Sequence, residues 1–210
     1  MEKANENSTL ILVDVQNDFL PAGALAVPEG DQVIQIINQL QKKFKRIVAT
    51  QDFHPADHKS FAANHPGKQV GEFVELHGLQ QILWPVHCVQ GTEGSEFHPD
   101  LDQADWEKVF QKGKNPEVDS YSGFFDNARL GDTGLGDYLK GNGVDTVYVT
   151  GLAQDYCVKF TALDAVSLGF KTFLLKDATR AVNLSPEDGN KALEEMKKKG
   201  VIVITSSELE

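Results

Sequence analysis

A chain of 210 residues, 40% of them hydrophobic, is long enough to bury one substantial core. Acidic residues outnumber basic ones 31 to 20, a net charge of −11 that argues against a nucleic-acid partner, which requires clustered basic charge. No apolar run approaches the roughly 20 residues of a bilayer span, and the polar start MEKANENSTL carries no signal-peptide pattern. The expectation is a cytoplasmic protein with no membrane partner, in which Cys88 and Cys157 stay reduced. No Pro/Gly/Ser-rich linker and no repeat divides it, so residues 1–210 read as one domain.

In chain order, residues 9–15 (TLILVDV) predict a buried strand, 31–44 a helix and 46–50 (RIVAT) a second strand. Residues 52–105 predict a long irregular segment holding most of the His, Pro and Gly residues, and loops of that length inside a domain are usually functional. A third strand is predicted over 106–111, a helix over 135–140 and a fourth strand over 146–150. Residues 155–168 form a helix capped by Gly169, 171–175 a fifth strand, 186–199 a helix with proline in its first turn, and 201–205 a sixth strand. Such alternation predicts an α/β protein: a mostly parallel six-stranded sheet with helices on both faces, binding its ligand at the carboxyl ends of the strands.

That edge collects the ionisable residues. Asp14 ends the first predicted strand, Asp52 and His54 follow the second, Lys114 follows the third and Cys157 the fourth. Singly, each has an ordinary explanation: a turn carboxylate, a solvated lysine, a buried cysteine. Their convergence points to nucleophilic catalysis, with Cys157 in GLAQDYCV at the start of a helix. Free N–H groups there favour a thiolate and are placed to stabilise an oxyanion. Asp52, His54 and the more distant His87 suit zinc, iron or manganese, although Asp-x-His equally serves ordinary turn contacts. No spacing selects His58, His65, His77 or His98, and Cys88 reads as structural.

Five segments carry a family resemblance: VDVQNDFLPAGALAVPEG, QDFHPADHKSFA, WPVHCVQGTEG, KGKNPEVDSYSGFFDN and GLAQDYCVKFTALDA. In order, from about residue 9 to 203, the chain resembles the nicotinamidases of the isochorismatase-like cysteine hydrolase superfamily. The resemblance implies hydrolysis of nicotinamide to nicotinate and ammonia through a cysteine thioester, acceptance of pyrazinamide, and a place in NAD salvage. It implies Asp14 as base, Lys114 as the lysine of the triad and Cys157 as nucleophile. Asp52, His54 and His87 match the metal ligands, with zinc ahead of iron or manganese, and Ser60 falls where some relatives carry a further ligand. A cis peptide at Leu152–Ala153 is implied, with the amides of Ala153 and Cys157 as oxyanion donors. Phe19 and Trp84 match the walls around a pyridine ring, and Leu152 and Tyr156 line the pocket beside them. Gln154 departs from the Thr or Ser of many relatives.

The nearest alternative is a related cysteine amidohydrolase acting on an N-carbamoyl or ureido amide, which would lack the Asp52/His54/His87 set. A nucleotide- or flavin-binding module is disfavoured because the glycines of 131–136 (GDTGLG) do not follow a predicted strand. Whether the chain forms a homo-oligomer is left open by the sequence.

Overall fold

Strand β1 (Ser8–Val13) is buried along its whole length, and its alternate side chains serve two different cores. Leu10 and Leu12 pack with Val33, Ile34, Ile37 and Leu40 of helix α1 (Gln32–Gln41). Ile11 and Val13 face the other way, into a cluster completed by α2 (Leu135–Gly141), α3 (Lys159–Ser167) and α4 (Asp188–Lys198). A strand with period-two side chains and apolar residues on both faces needs helices on both faces, and this one has them. The computed structural model describes residues 3–210.

The remaining elements are β2 (Ile47–Asp52), β3 (Phe73–Leu76), β4 (Leu79–Ile82), β5 (Lys108–Lys112), β6 (Thr146–Leu152), β7 (Lys171–Arg180) and β8 (Ile202–Ile204). The main sheet has six strands in the order β5-β2-β1-β6-β7-β8, every neighbouring pair parallel, as the alternating pattern predicts. The chain leaves β1 toward β2 on one side and later returns to β6 on the other. The carboxyl end of β1 is therefore the switch point where open α/β sheets form a crevice.

Four departures from the expected elements matter. Strand β5 reaches Lys112 rather than stopping at residue 111, and β7 runs on to Arg180. Within the segment expected to be irregular, β3 and β4 pair as an antiparallel hairpin. Its two-residue loop, His77-Gly78, has positive φ at both positions (49° and 75°), the type I′ geometry that matches strand twist. The helix expected from residue 155 begins as a π-turn over Gln154–Val158, where the Val158 N–H donates to the Ala153 carbonyl, and only then becomes α3. Among the described residues no helix is long and apolar enough to cross a membrane.

Candidate active site

Asp14 is the first residue past β1, with φ of 49°, a conformation uncommon for a residue with a Cβ. It is fully buried; Thr50 Oγ donates to its Oδ1 at 2.6 Å, and Lys112 Nζ lies 3.0 Å from its Oδ2. Burial, reinforced by the nearby Asp52 carboxylate, outweighs Lys112 and raises the Asp14 pKa, so its proton affinity suits a base that must later act as an acid.

The expected lysine is the wrong one. Lys114 is exposed, whereas Lys112, paired with Asp52 in the β2–β5 register, is buried at the centre of the site. Its ammonium reaches Asp14 Oδ2 (3.0 Å), Asp52 Oδ1 (2.9 Å), the Ser120 carbonyl (2.8 Å) and Cys157 Sγ (3.5 Å). Alternation along β5 puts Phe110 and Lys112 on buried positions, and Gly113, at φ 66°, then turns the chain so that Lys114 faces solvent. Burial opposes the Lys112 charge, but Asp14 and Asp52 overrule it and hold the ammonium well above its ordinary pKa.

Cys157 lies in the π-turn, 7% exposed. Burial is the largest influence on its thiol. Lys112 opposes it, Asp14 and Asp52 reinforce it, and the pKa stands well above 9.0. Burial therefore works against the thiolate expected at this helix start, and the Asp14 carboxylate lies in the same cluster around Lys112.

Asp52, His54 and His87 bring three ligand atoms together, all on buried residues. His54 Nδ1 lies 2.9 Å from the Gly113 carbonyl and His87 Nδ1 2.8 Å from that of Pro85. Both carbonyls can only accept, so each Nδ1 carries a proton and each Nε2 points inward as the candidate ligand atom, 3.0 and 3.4 Å from Asp52 Oδ2. Lys112 occupies Asp52 Oδ1 and leaves Oδ2 available. Two oriented imidazoles and one free carboxylate oxygen fit a divalent transition metal. A Cβ on Gly113 would collide with the His54 ring, so glycine is required there. Ser60 is buried, but its hydroxyl lies 2.7 Å from His58 Nδ1 and its N–H donates to the same nitrogen. His58, which no spacing singled out, instead presents a buried Nε2 without a hydrogen-bond partner, in a second group with His54 and Asp119.

A cavity in front of the thiol is walled by Phe19, Trp84 and Tyr156, and Asp52, His87, Ala153 and Cys157 also line it. Trp84 and Tyr156 meet edge to face, centroids 4.9 Å apart. The Leu152–Ala153 peptide is cis. Leu152 does not line the cavity: its side chain is completely buried in the α1-side core, because period two sends it to the face opposite the neighbouring Gly151. Asp119, Tyr121, Leu25 and Val182 also line the cavity and were not anticipated. Asp119 and Tyr121 lie within the quoted KGKNPEVDSYSGFFDN segment, but a loop reveals no facing from periodicity.

A model of the isochorismatase domain matches residues 8–208. The chain belongs to the isochorismatase family. Within it, the chain is 48% identical to the Escherichia coli nicotinamidase over 205 residues, 96% of each protein. The Acinetobacter baumannii nicotinamidase/pyrazinamidase structure superposes with a TM-score of 0.95 at 48% identity, covering 98% of this chain and 99% of that one. A Pyrococcus horikoshii pyrazinamidase solved with zinc matches at 41% identity and TM-score 0.77, covering 95% and 99%. An isochorismatase-family fold with a buried cysteine, a raised-pKa aspartate and a buried lysine at the sheet switch point is built for acyl transfer.

Proposed function

We propose that this chain is a nicotinamidase, a cysteine amidohydrolase converting nicotinamide to nicotinate and ammonia, with pyrazinamide as a second substrate. The observation that carries the reading is the contact of Lys112 with both Asp14 and Cys157, beside an aromatic cavity that Cys157 lines together with Asp52 and His87 of the Asp52/His54/His87 set. A pyridine-3-carboxamide bound there would present its carboxamide to the sulfur and its ring nitrogen to Asp52 and His87.

Phe19, Trp84 and Tyr156 enclose the ring and exclude water. Asp14 takes the Cys157 proton as Sγ attacks the carboxamide carbon, and the amides of Ala153 and Cys157 receive the developing oxyanion. Collapse breaks the C–N bond; Asp14 returns the proton to the leaving nitrogen, ammonia departs and a thioester remains. Asp14 then takes a proton from an attacking water, the C–S bond breaks, and the thiol is restored as nicotinate leaves. Lys112 favours the ionised form of Asp14 at the start of each half-reaction and lies between it and the sulfur. A divalent metal, zinc by its donor set, would be held by Asp52, His54 and His87 and would supply a Lewis acid for the pyridine nitrogen.

Ammonia release from nicotinamide, measured alongside metal content of the purified protein, tests the reading. Turnover of nicotinamide with little turnover of benzamide supports it; equal turnover of both removes the ring-nitrogen contact. Hydrolysis of an N-carbamoyl amide but not of nicotinamide would favour the ureido alternative.

A further inference from the structure

Past Asp14 the chain leaves the sheet, yet β2 still has two backbone groups to satisfy at its end. On one side Asp52 pairs with Lys112 of β5. On the other side no strand follows, and the completely buried Gln16 side chain takes its place. Gln16 Oε1 accepts the Asp52 N–H at 2.8 Å, and Nε2 donates to the Asp52 carbonyl at 2.8 Å. The second hydrogen of Nε2 goes to the Ser95 carbonyl, also at 2.8 Å. A side-chain amide thus continues the ladder where the main chain has turned away, and fixes the backbone that carries a metal-binding carboxylate.

Asp18 does the corresponding work at the other ligands. Its Oδ2 accepts the Cys88 N–H at 2.7 Å, immediately after His87, and its Oδ1 accepts the Ala24 N–H at 3.2 Å. Cys88 has φ of 46°, an unusual backbone for a residue with a side chain, and Asp18 holds it there. The Cys88 carbonyl in turn accepts the His54 N–H at 3.0 Å. Between them Asn17 Nδ2 donates to the Glu93 carbonyl at 2.8 Å. All three metal-binding residues are therefore tied to one short segment that touches none of their ligand atoms.

We propose that Gln16 and Asp18 are positioning residues that set the metal affinity of this chain, by fixing the backbones of Asp52 and of the His87-Cys88 pair that also anchors His54. The inference rests on Asp52, His54 and His87 being a metal site. Outer partners of this kind typically contribute 10–100-fold in affinity.

The test is zinc affinity, by competition with a chromogenic chelator, in wild type, Gln16→Met, Asp18→Ala and Asp18→Asn. Gln16→Met keeps the length and apolar fill of the side chain but removes the ladder contacts. Asp18 is only half-buried, so its variants carry the test if Gln16→Met fails to fold. Zinc binding should weaken about 10–100-fold in Gln16→Met and Asp18→Ala. Asp18→Asn, which retains an acceptor for Cys88, should recover most of the loss. The second readout is iodoacetamide alkylation of Cys157 in the metal-free proteins, which should stay within about twofold of wild type because the Asp14–Lys112–Cys157 contacts remain. Unchanged zinc affinity in the variants overturns the proposal, as does an equally large change in alkylation, which would mean general disruption. A wild-type protein that takes up no zinc overturns the metal site itself, and with it this inference.

Discussion

Lys112 is enclosed by two carboxylates, a carbonyl and a thiol, whereas Lys114, two residues on, stands in solvent. Lys112→Ala leaves Asp14 and Asp52 buried without their cation, and breaking such a pair costs about 3–5 kcal/mol. We expect a marked fall in Tm and loss of essentially all ammonia release. Lys114→Ala should stay within about 0.5 kcal/mol of wild type and retain full turnover. If Lys114→Ala abolishes activity while Lys112→Ala retains it, the triad described above is misassigned. The thiol gives a second measurement. With its pKa raised well above 9.0, Cys157 should alkylate slowly at pH 7 and accelerate only as pH climbs past 9. Asp14→Asn removes a like charge, so the alkylation curve should shift to lower pH. The same variant should lose at least the 10²–10⁴-fold typical of acid–base catalysis. Asparagine also tolerates the positive φ of Asp14, so backbone strain does not confuse the result. An Asp14→Asn enzyme with near-normal turnover would make Asp14 a turn residue only.

At the scale of elements, alternation along β5 decides which lysine enters the buried cluster with Asp14 and Cys157. Hydrophobic runs reveal a strand in the sequence but not its last residue, and Lys112 is polar, so a reading by apolar character ends β5 one residue early. Asp14, Asp52 and Cys157 were legible because each closes or follows a strongly apolar run. The hairpin β3–β4 was not, since His-Gly is a weaker turn signal than Asn-Gly and half of its side chains face solvent. That hairpin reaches the site through Gln81, 4% exposed. Its Nε2 contacts the Ile82 carbonyl at 2.7 Å, Asp119 Oδ2 at 3.0 Å and Tyr121 Oη at 3.1 Å, and Trp84 Nε1 donates to the same Tyr121 hydroxyl. Asp119, Tyr121 and Trp84 all line the cavity. Gln81→Leu preserves volume but frees this wall while leaving the triad intact. The expected outcome is a KM for nicotinamide raised about tenfold, an interaction of about 1.4 kcal/mol, with kcat changed little. A fall in kcat at unchanged KM would place the hairpin's effect on the chemistry instead.

Across the whole molecule, the parallel sheet with helices on both faces follows from features the sequence carries openly: β-branched runs, helices between them and a capping glycine. The connections between residues 52 and 105 carry no such periodicity, and there the structure is set by side chains that bond to distant backbone. Gln16 to Ser95 and Asp18 to Cys88 are examples. The proposed metal ligands would close this region, since Asp52 ends β2 and His87 lies far along the following segment. A ligand that binds only the folded state stabilises it by about 4 kcal/mol at a thousandfold excess over Kd. In a chain of this size each kcal/mol moves Tm by about 2–4 °C, so stripping the metal should lower Tm by about 8–16 °C. The loss should also be local. Amide exchange should quicken through residues 52–98, while β1, β6 and β7, buried between the two cores, keep their protection. Restoring zinc should reverse both changes, and His87→Ala should show neither on chelation. A wild-type protein whose Tm and exchange pattern ignore both chelator and zinc would show that Asp52, His54 and His87 are a buried ionic cluster rather than a metal centre. The aromatic cavity would then have to hold its substrate by ring contacts alone.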